Sequence, residues 1–599
     1  MFITRGFGAC ALVSGAHYGT SSRGRASASG RLDPTGRLSH GRSDGKSGRF
    51  PAVLDLTEAF YGLAAGTRST PSRLGADGTS ACLVVQLPAG WPMSEVSAPA
   101  SANDGSDGPF AIPAPEKKRL LVAALRALLP VDAVLDTPHD LTVYECDGLA
   151  AFRQIPVAVV LPRTEQEVVS IVKLCHAWDV PVVARGAGTG LSGGALPHAA
   201  GVLLSLARMN RIVSLDQVAG TARVEPGVRN LAISEAAAPM GLYYAPDPSS
   251  QIACTIGGNI AENSGGVHCL KYGLTLHNVL RLRGVTIEGE LIECGSEALD
   301  APGLDLLSIV VGSEGLLLVV TEITVRLLPK PPCARVVLAS FSTVSQAGDA
   351  VAAIIAAGII PAGLEMMDRG VAMAVEPFVH AGYDLTAAAI LLIESDGTVA
   401  EVEDEIAWLS VLLTKVGAQS IAISHSESER LRFWSGRKNA FPAAGRISPD
   451  YYCMDGTIPR KHLGRVLESI QAMEAKYDLK CINVFHAGDG NLHPLILFDA
   501  NVPGQWERAD RFGSEIVELC VALGGTITGE HGVGIEKINS MCVQFSDSER
   551  AIFSAVKVAF DAKGLLNPGK VIPTLRRCAE YGRQHVHLGV LPFSDLPRF

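Results

Sequence analysis

Charged and aromatic residues are scarce in this chain of 599 residues, at 19% and 6%, whereas hydrophobic residues make up 47%. These proportions are typical of a soluble globular protein. The net charge is −10, and no basic stripe interleaved with aromatic side chains is present, which argues against a nucleic-acid partner. None of the 13 cysteines forms a Cys-x-x-Cys pair, so neither a disulfide framework nor an iron–sulfur or zinc-finger site is predicted. A reducing, cytoplasmic compartment is the simpler expectation.

Long apolar runs are also missing. The longest is residues 350–364, which is shorter than the roughly 20 residues that a bilayer requires and is interrupted by Pro361. We therefore interpret it as a buried helix.

The length predicts two or three domains preceded by a disordered leader over residues 1–115. Residues 1–50 carry eight basic and two acidic side chains, a composition that fits a transit peptide. The alternative, which we favour, is that the natural protein starts at Met93 and that residues 1–92 are not part of it. Folded sequence is expected from Glu116, and residues 576–599 form a tail.

A glycine-dense turn follows the apolar strand that runs from Pro181 to Arg185. Five glycines occur between Gly186 and Gly194, and without Cβ atoms they allow backbone N–H groups to converge on an anion. The turn therefore predicts a pyrophosphate site.

Two alternatives to this interpretation are an NAD-binding Rossmann turn and an ordinary glycine-rich surface loop. Residues 188–193 match the Gly-x-Gly-x-x-Gly pattern, but that pattern must open a helix. Here Pro197 and Gly201 follow, and then another strand-like run over residues 202–206. This context argues against NAD.

A second glycine-dense region lies about 60 residues further along. It consists of Pro246-Asp-Pro-Ser-Ser250 and the block from Gly257 to Gly266, Gly-Gly-Asn-Ile-Ala-Glu-Asn-Ser-Gly-Gly. Strands and helices alternate through this half of the chain, and two such regions suit a ligand with two ends.

These blocks resemble the FAD-binding domain of the vanillyl-alcohol-oxidase type, as found in the FAD-linked 2-hydroxy-acid dehydrogenases. The resemblance implies an α+β fold with a two-part FAD-binding domain over residues 116–330. Thr189 stands where some relatives carry a flavin-tethering histidine, so non-covalent FAD is expected. The residues that the resemblance assigns to FAD are Arg185, Gly186, Ala187, Gly188, Thr189, Gly190, Ser192, Gly193, Pro246, Asp247, Ser249, Gly257, Gly258, Asn259, Glu262, Asn263, Ser264, Gly265, Glu314, Ile323 and Asn567.

Residues 329–332 predict a hinge into a second domain over residues 331–545. We expect a helix from Ser345 to Ala357, and we interpret the cluster of Met366, Met367 and Met373 as core filling. Arg437 follows later, and a guanidinium is the group best shaped to hold a carboxylate.

Chemistry concentrates in two glycine-framed clusters of this domain. Residues 486–493 read His-Ala-Gly-Asp-Gly-Asn-Leu-His directly after a strand, so two imidazoles can face each other across the turn. Glu530 and His531 lie in a second glycine frame. Two histidines and one glutamate are a common ligand set for a catalytic divalent metal, although each histidine alone is more often a hydrogen-bonded turn residue.

The FAD-linked 2-hydroxy-acid dehydrogenases carry both clusters. The resemblance implies His486, His493 and Glu530 as metal ligands, with Zn, Mn or Fe open, and His531 as the base. It also implies an α+β substrate (cap) domain on an antiparallel sheet, and residues 546–575 returning to the FAD domain. Within the family, residues 437–459 are most similar to flavin subunits of bacterial glycolate oxidases, with D-lactate dehydrogenases next. Phe441 and Cys453 supply no charge for a second carboxylate, which favours a small monocarboxylate.

The function expected from this resemblance is oxidation of glycolate to glyoxylate. The hydride leaves C2 for flavin N5, His531 takes the hydroxyl proton with assistance from the metal, and Arg437 holds the carboxylate with help from Asn491. The resemblance further implies a second flavin-domain subunit and an iron–sulfur subunit as partners, so that any association with the inner face of the membrane is expected to be indirect, through these partners. Three alternatives stay open: a D-lactate dehydrogenase giving pyruvate, a metal-dependent hydrolase, and a flavin-storing protein without turnover.

Overall fold

The structure is a computed structural model that describes residues 110–298 and 303–573. Most of the predicted leader, including the alternative start at Met93, lies outside these ranges, as does the predicted tail over residues 576–599. The predicted domain boundaries at residues 116, 331 and 546 stay predictions.

The first layer of the fold is a four-stranded sheet with the order β1-β2-β4-β3, in which β2, β4 and β3 run parallel. Its elements are α1 (Pro115–Leu128), β1 (Val134–Leu135), α2 (Pro138–Thr142), β2 (Ala158–Val160), α3 (Glu165–Ala177), β3 (Val182–Arg185) and β4 (Val202–Ser205). A capping box formed by Thr164 and Glu167 begins α3, as the sequence predicts. Residues 186–201, which connect β3 to β4, contain no helix, so the context required for a Rossmann turn is absent from this connection.

The second layer is a five-stranded antiparallel sheet with the order β5-β6-β10-β8-β9. The elements of this part of the chain are β5 (Ile212–Asp216), β6 (Thr221–Val224), α4 (Asn230–Ala237), β7 (Leu242–Tyr243), α5 (Ile256–Glu262), α6 (Cys269–Tyr272), β8 (Val279–Val285), β9 (Leu291–Gly295), α7 (Leu306–Val310), β10 (Val319–Arg326) and β11 (Leu328–Pro329). Strands β7 and β11 form a separate antiparallel pair.

The following half of the chain is built on a seven-stranded sheet with the order β15-β12-β14-β13-β17-β18-β16, and every pairing in it is antiparallel. Its elements are β12 (Cys333–Phe341), α8 (Val344–Ala356), β13 (Gly363–Asp368), α9 (Arg369–Val379), β14 (Ala389–Gly397), α10 (Val399–Lys415), β15 (Ser420–Ile423), α11 (Glu427–Lys438), α12 (Ala440–Ala444), β16 (Asp450–Cys453), α13 (Leu463–Tyr477), β17 (Lys480–Phe485), β18 (Pro494–Phe498) and α14 (Gln505–Ala522). The expectation of an α+β fold with an antiparallel second sheet is confirmed.

The last part of the chain packs back onto the first layer. After α15 (Met541–Gln544) and α16 (Asp547–Phe560), Leu566 forms a parallel bridge to Val182 of β3. Leu565 and Leu566 are fully buried in the same hydrophobic cluster as β2 and β3. This contact brings the segment around Asn567 beside the glycine-dense turn.

Two smaller expectations about this half of the chain are wrong. The apolar run over residues 350–364 is not one helix, because α8 ends at Ala356 and the run continues through a turn into β13. Met366 and Met367 of β13 are buried, but Met373 is 54% exposed, since it lies on the outer face of α9. A separate finding concerns membranes: over the described residues, no helix is both long enough and apolar enough to span a bilayer.

Candidate active site

The two glycine-dense regions meet at one cleft. A Cβ atom on Gly186 would lie 2.2 Å from Thr255 Oγ1, and one on Gly194 would lie 2.8 Å from Glu262 Oε1. Gly186 and Gly194 flank the turn after β3, whereas Thr255 and Glu262 lie at the two ends of α5. We call the turn over residues 186–194 together with residues 255–265 the cradle.

The cradle can accommodate a nucleotide. A cleft of about 420 Å³ opens beside it, lined by Ala187, Gly227, Val228 and Thr255 among others. Among the described residues, Ser192 Oγ and Glu262 Oε2 are buried atoms without a hydrogen-bond partner. Burial, reinforced by the Glu314 carboxylate, raises the pKa of Glu262 well above its usual value. A neutral carboxyl group offers both a donor and an acceptor to a ligand, so the cradle fits FAD.

The structure brings most of the predicted FAD residues to the cradle and its rim. The turn after β3 carries Gly186, Ala187, Gly188, Thr189, Gly190, Ser192 and Gly193, and the segment around α5 carries Gly257, Gly258, Asn259, Glu262, Asn263, Ser264 and Gly265. Pro246, Asp247 and Ser249 precede α5. Ile323 lies apart in the core of the five-stranded sheet, so a contact of its side chain with FAD stays a prediction.

Several of these side chains brace the protein itself. Arg185 Nη1 donates to the Cys146 carbonyl at 2.6 Å beneath the turn. Asn259 accepts a hydrogen bond from Asn230 and donates one to Ser264 Oγ. Asp247 Oδ2 lies 2.8 Å from His268 Nδ1. These residues therefore hold the shape of the cradle.

The cradle is in direct contact with the segment that follows Glu530. Glu314 accepts hydrogen bonds from the N–H groups of Val533 and Gly534, both at 2.7 Å. A Cβ atom on Gly265 would lie 2.5 Å from Glu530 Oε2. The two predicted halves of the site, more than 200 residues apart in sequence, thus form one continuous surface.

The returning C-terminal segment also supports the cradle. Asn567 Nδ2 donates to the carbonyls of Gly194 and Glu314, at 2.9 Å and 2.7 Å. Lys570 Nζ donates to the carbonyls of Gly194 and Leu196, and burial lowers its pKa to about 7. The role of Lys570 is missed by the sequence analysis.

The three predicted metal ligands converge. His486 Nε2 and His493 Nε2 lie 3.2 Å and 2.9 Å from Glu530 Oε1, and one ligand atom from each of the three residues lies within 4.8 Å of the other two. His486 follows β17 and His493 precedes β18, so the hairpin presents both rings to the same space, with centroids 5.1 Å apart. We call these three residues the cation cluster.

The electrostatics of the cation cluster suit a divalent cation. Burial alone would lower the pKa of His486, but the carboxylates of Glu365 and Glu530 outweigh it, and the pKa is raised well above its usual range. Burial would raise the pKa of Glu530, yet the two imidazoles hold it well below its usual value. Two imidazoles and one carboxylate in a site that stabilises positive charge are a donor set that Zn²⁺, Mn²⁺ or Fe²⁺ accepts.

Glu365 joins the cation cluster to Arg437. Its Oε1 lies 2.7 Å from His486 Nδ1, and its Oε2 accepts a hydrogen bond of 2.6 Å from Arg437 Nε. A carboxylate in this position fixes the orientation of a histidine ligand. Arg437 Nη2 is buried and has no hydrogen-bond partner among the described residues, so it can still bind an anion.

His531 lies beside the cation cluster. Its ring stacks on that of His493, with centroids 4.9 Å apart and planes at 17°. Burial lowers the pKa of His531 to about 4, so the imidazole is neutral near pH 7. Its Nδ1 is buried and has no hydrogen-bond partner in the described chain. A neutral imidazole with a free nitrogen can accept a proton.

Asp455 positions the segment that carries Glu530 and His531. This fully buried carboxylate accepts hydrogen bonds from the N–H groups of Gly529, Glu530 and His531, and from Thr528 Oγ1. Asn491 lies next to the same segment, where a Cβ atom on Gly529 would be 2.5 Å from its side chain. Asn491 Oδ1 is buried without a partner among the described residues.

The sequence analysis also does not predict the roles of Glu365 and Asp455, although each has a feature in the sequence that points to it. Glu365 is an acid within an apolar strand, and a buried carboxylate needs a partner. Asp455 follows the end of β16 much as His486 follows β17, so both side chains lie at strand ends of one sheet.

Comparison with known proteins identifies matches over most of the described chain. Residues 156–295 match the model of the FAD binding domain, and residues 330–571 match the model of the C-terminal domain of FAD linked oxidases. The chain is 59% identical to the glycolate oxidase subunit GlcD of Escherichia coli (strain K12) over 489 residues, which covers 82% of this chain and 98% of the relative.

Two further similarities are more distant. The chain is 30% identical to the mitochondrial D-lactate dehydrogenase [cytochrome] of Arabidopsis thaliana, over 78% of this chain and 83% of the relative. Its fold is similar to that of p-cresol methylhydroxylase with substrate bound, with a TM-score of 0.66 at 18% identity, over 77% of this chain and 98% of the other.

Proposed function

Because the chain belongs to the family of FAD-linked oxidases, we propose that it oxidises glycolate to glyoxylate with non-covalently bound FAD and a divalent cation. The proposal rests on one observation above all. The segment from Glu530 to Gly534 lies against Gly265 of the cradle and is held by hydrogen bonds to Glu314, while Glu530 belongs to the cation cluster. The substrate carbon that is to be oxidised can therefore lie between the flavin and the cation.

The residues around this junction meet the needs of a 2-hydroxy acid. Arg437 holds the carboxylate through Nη2, which has no partner among the described residues and is kept in place by the ion pair of Nε with Glu365. Asn491 offers its free Oδ1 to the substrate or to water beside it. His493 and Arg437 are each only 2% exposed, so bulk water is excluded and hydrogen bonds to the substrate are strengthened.

His531 is the proton acceptor in this proposal. When bound, FAD supplies the acceptor for the hydride from C2, and the cation supplies a Lewis acid for the hydroxyl group. His531 Nδ1 takes the hydroxyl proton, since the ring is neutral near pH 7 and is held beside the cation cluster by its stacking on His493. Asp455 accepts a hydrogen bond from the His531 N–H group and so holds the backbone of His531 in place.

The surroundings of His493 favour a small substrate. The Phe441 ring lies 6.4 Å from the His493 ring, and Cys453 has its sulfur close to the same imidazole. Neither side chain carries a charge that would pair with a second carboxylate, so glycolate or D-lactate fits better than a dicarboxylate. D-lactate differs from glycolate by one methyl group, and a pocket can favour one of the two substrates over the other by only about 1–3 kcal/mol on that basis.

Electrons must leave the flavin after each turnover. The curated relative is named as a subunit of glycolate oxidase. We propose that this chain also works in a complex, with a second flavin-domain subunit and an iron–sulfur subunit that carries electrons onward. In this arrangement the protein is cytoplasmic and reaches the inner face of the membrane only through its partners.

Anaerobic reduction of the flavin tests the proposal. Purified protein should be yellow, should release FAD on denaturation, and should bleach when glycolate is added. Faster bleaching by D-lactate would reassign the substrate, and colourless protein would favour a metal-dependent hydrolase. Yellow protein that neither acid bleaches would indicate a flavin-binding protein without turnover.

His531→Ala tests the assigned proton acceptor. We expect this variant to keep its FAD but to bleach about 10²-fold more slowly or worse, which is the usual contribution of a positioned base. His462→Ala, outside the site, is the matched control and should bleach at the unaltered rate. If both variants bleach at the unaltered rate, His531 is not the base.

A further inference from the structure

We propose that Cys453, His493 and His531 form a second cation site, one that binds soft divalent cations such as Cd²⁺ and Zn²⁺ and thereby inhibits the enzyme. The inhibitory consequence rests on the proposed function of His531, whereas the site itself does not. We call these three residues the thiol cluster.

The fold places the thiol cluster on one face of the seven-stranded sheet. Cys453 of β16 is opposite Leu495 of β18, and His493 lies two residues before Leu495. Because side chains alternate along strands, Cys453 and His493 lie on the same face. One ligand atom from each of Cys453, His493 and His531 lies within 4.8 Å of the other two. Small side-chain movements can therefore gather a sulfur and two nitrogens around one ion.

Two of the three ligands have unused ring nitrogens. His493 Nδ1 and His531 Nδ1 are both buried, and neither has a hydrogen-bond partner in the described part of the chain. His493 directs Nε2 to Glu530 at 2.9 Å, so Nδ1 on the other side of the ring is not used by the cation cluster. When the lone pair of His493 Nε2 holds the first cation, Nδ1 carries the ring proton, so a second cation binds at Nδ1 by displacing that proton and the ring then bridges the two cations. Buried nitrogens without partners are costly unless something binds them.

The chemistry of the two clusters differs although they share His493. The cation cluster offers two imidazoles and a carboxylate, whereas the thiol cluster replaces the carboxylate with a sulfur. Thiolate ligands select soft cations, and a set of three protein ligands leaves a position open for a further ligand. When the ion binds, the Cys453 thiol and His493 Nδ1 each release a proton to solvent, and a metal–sulfur and a metal–nitrogen bond form in place of the S–H and N–H bonds.

Occupancy of the thiol cluster removes the proposed base. A cation on His531 Nδ1 takes the lone pair that would accept the substrate's proton, so turnover stops while FAD and Arg437 remain in place. Soft cations should therefore inhibit at concentrations that do not displace the first metal.

Cobalt absorption tests the site without reference to turnover. Co²⁺ is added to the purified, FAD-containing and metal-loaded enzyme, and the difference spectrum is recorded for a thiolate-to-cobalt charge-transfer band. Co²⁺ in the cation cluster has no sulfur ligand and contributes no such band. The variant is Cys453→Ala, and the matched control is Cys481→Ala, a buried thiol of β17 that belongs to neither cluster.

We expect the band in the unaltered enzyme and in Cys481→Ala, and its loss in Cys453→Ala. Inhibition of glycolate oxidation by Cd²⁺ should weaken at least about tenfold in Cys453→Ala, because loss of a ligand costs no less than loss of its supporting partner. Cys453→Ser, which keeps the side-chain size, serves if the alanine variant does not fold.

A band that persists in Cys453→Ala, or that is absent from the unaltered enzyme, would overturn the thiol cluster. A protein that oxidises neither glycolate nor D-lactate would overturn the proposed function instead, and the cobalt band would still decide whether the cation site exists.

Discussion

The cradle and the cation cluster are built by opposite means. The turn of the cradle is rich in glycine, so its backbone can face the ligand directly. At Gly186 and Gly194 a Cβ atom would collide with Thr255 or Glu262. In the cation cluster the chain concentrates side chains, and the atoms that matter are nitrogens and oxygens at the ends of His486, His493 and Glu530.

This difference determines how each region fails. The cradle should be damaged by adding atoms, because it depends on empty space next to its backbone. The cation cluster should be damaged by removing charge, because a buried ion pair that loses one partner leaves the other uncompensated. The two regions can therefore be disabled separately, one through FAD content and the other through metal content.

Glu530→Gln should give the largest effect. The amide keeps the shape of the carboxylate but removes a charge from the cation cluster, so the protein should lose its metal and retain FAD. Oxidation of glycolate should slow by about 10²-fold or more, since Lewis-acid assistance is worth several kcal/mol. Metal analysis and flavin absorbance on the same sample measure both outcomes, and Glu507→Gln on the exposed face of α14 is the control.

Glu365→Gln should have a smaller effect, on both metal binding and substrate binding. Glu365 contacts both His486 and Arg437, so the amide should loosen a metal ligand and the carboxylate-binding arginine together. We expect about a 10–100-fold loss of metal affinity, the usual cost of a supporting partner, together with a raised KM for glycolate.

The conservative variant Glu365→Asp separates this positioning role from a purely structural one. It keeps the charge and should restore part of the metal affinity. A normal KM and normal metal content in Glu365→Gln would show that the two contacts do not position the site.

Much of the cation cluster could be predicted from the sequence because its parts are local. A strand followed by His-Ala-Gly-Asp-Gly-Asn-Leu-His makes a hairpin, and a hairpin brings His486 and His493 together whatever the rest of the chain does. Likewise, Pro197 and the strand after it argued against a Rossmann turn, and residues 186–201 contain no helix.

The long-range pairings could not be predicted in the same way. Glu365 and His486 are 121 residues apart, and their contact depends on the pairing of β13 with β17, which no local pattern specifies. Met373 was misjudged for a similar reason, because composition marks a residue as apolar but only the packing of α9 decides which face is exposed. Lys570 is another case, since an ordinary lysine near the C-terminus becomes buried when the chain returns to the cradle.

Gly190→Ala should reduce FAD binding without disturbing the fold. A Cβ atom at this position has only Glu262 Oε1 within 4 Å, at 3.9 Å, so the protein itself has room for the methyl group. A bound nucleotide would compete for that room, and overpacking of about 1–3 kcal/mol corresponds to roughly a 5- to 150-fold loss of FAD affinity. FAD titration of the apoprotein measures it.

Two further alanine variants are compared with Gly190→Ala. Gly445→Ala, away from the cradle and with its nearest neighbour at 3.5 Å, should bind FAD normally. Gly186→Ala places a methyl group 2.2 Å from Thr255 Oγ1 and should lower stability as well as FAD content. If Gly190→Ala binds FAD as tightly as the unaltered protein, the cofactor does not approach this turn.

Lys570→Met tests the buried lysine whose ammonium group donates hydrogen bonds to backbone carbonyls of the cradle and its neighbour Leu196, and its effect should be the smallest. Burial lowers the pKa of Lys570 from 10.5 to about 7, against the opposing influence of Asp147, Glu314 and Glu262, and Arg185 lowers it further. Between these two pKa values the unfolded chain binds more protons than the folded one, so the free energy of unfolding rises with pH.

The methionine variant lacks this titration, while the four neighbouring ionisable groups are present in both proteins. The stability of the unaltered protein relative to Lys570→Met should therefore increase by about 1 kcal/mol between pH 7 and pH 8. Calorimetric unfolding of both proteins at matched pH and salt measures the difference. Equal pH slopes would mean that Lys570 keeps an ordinary pKa despite three hydrogen-bond acceptors around its ammonium group, and the cradle would then carry a full positive charge beneath its backbone at neutral pH.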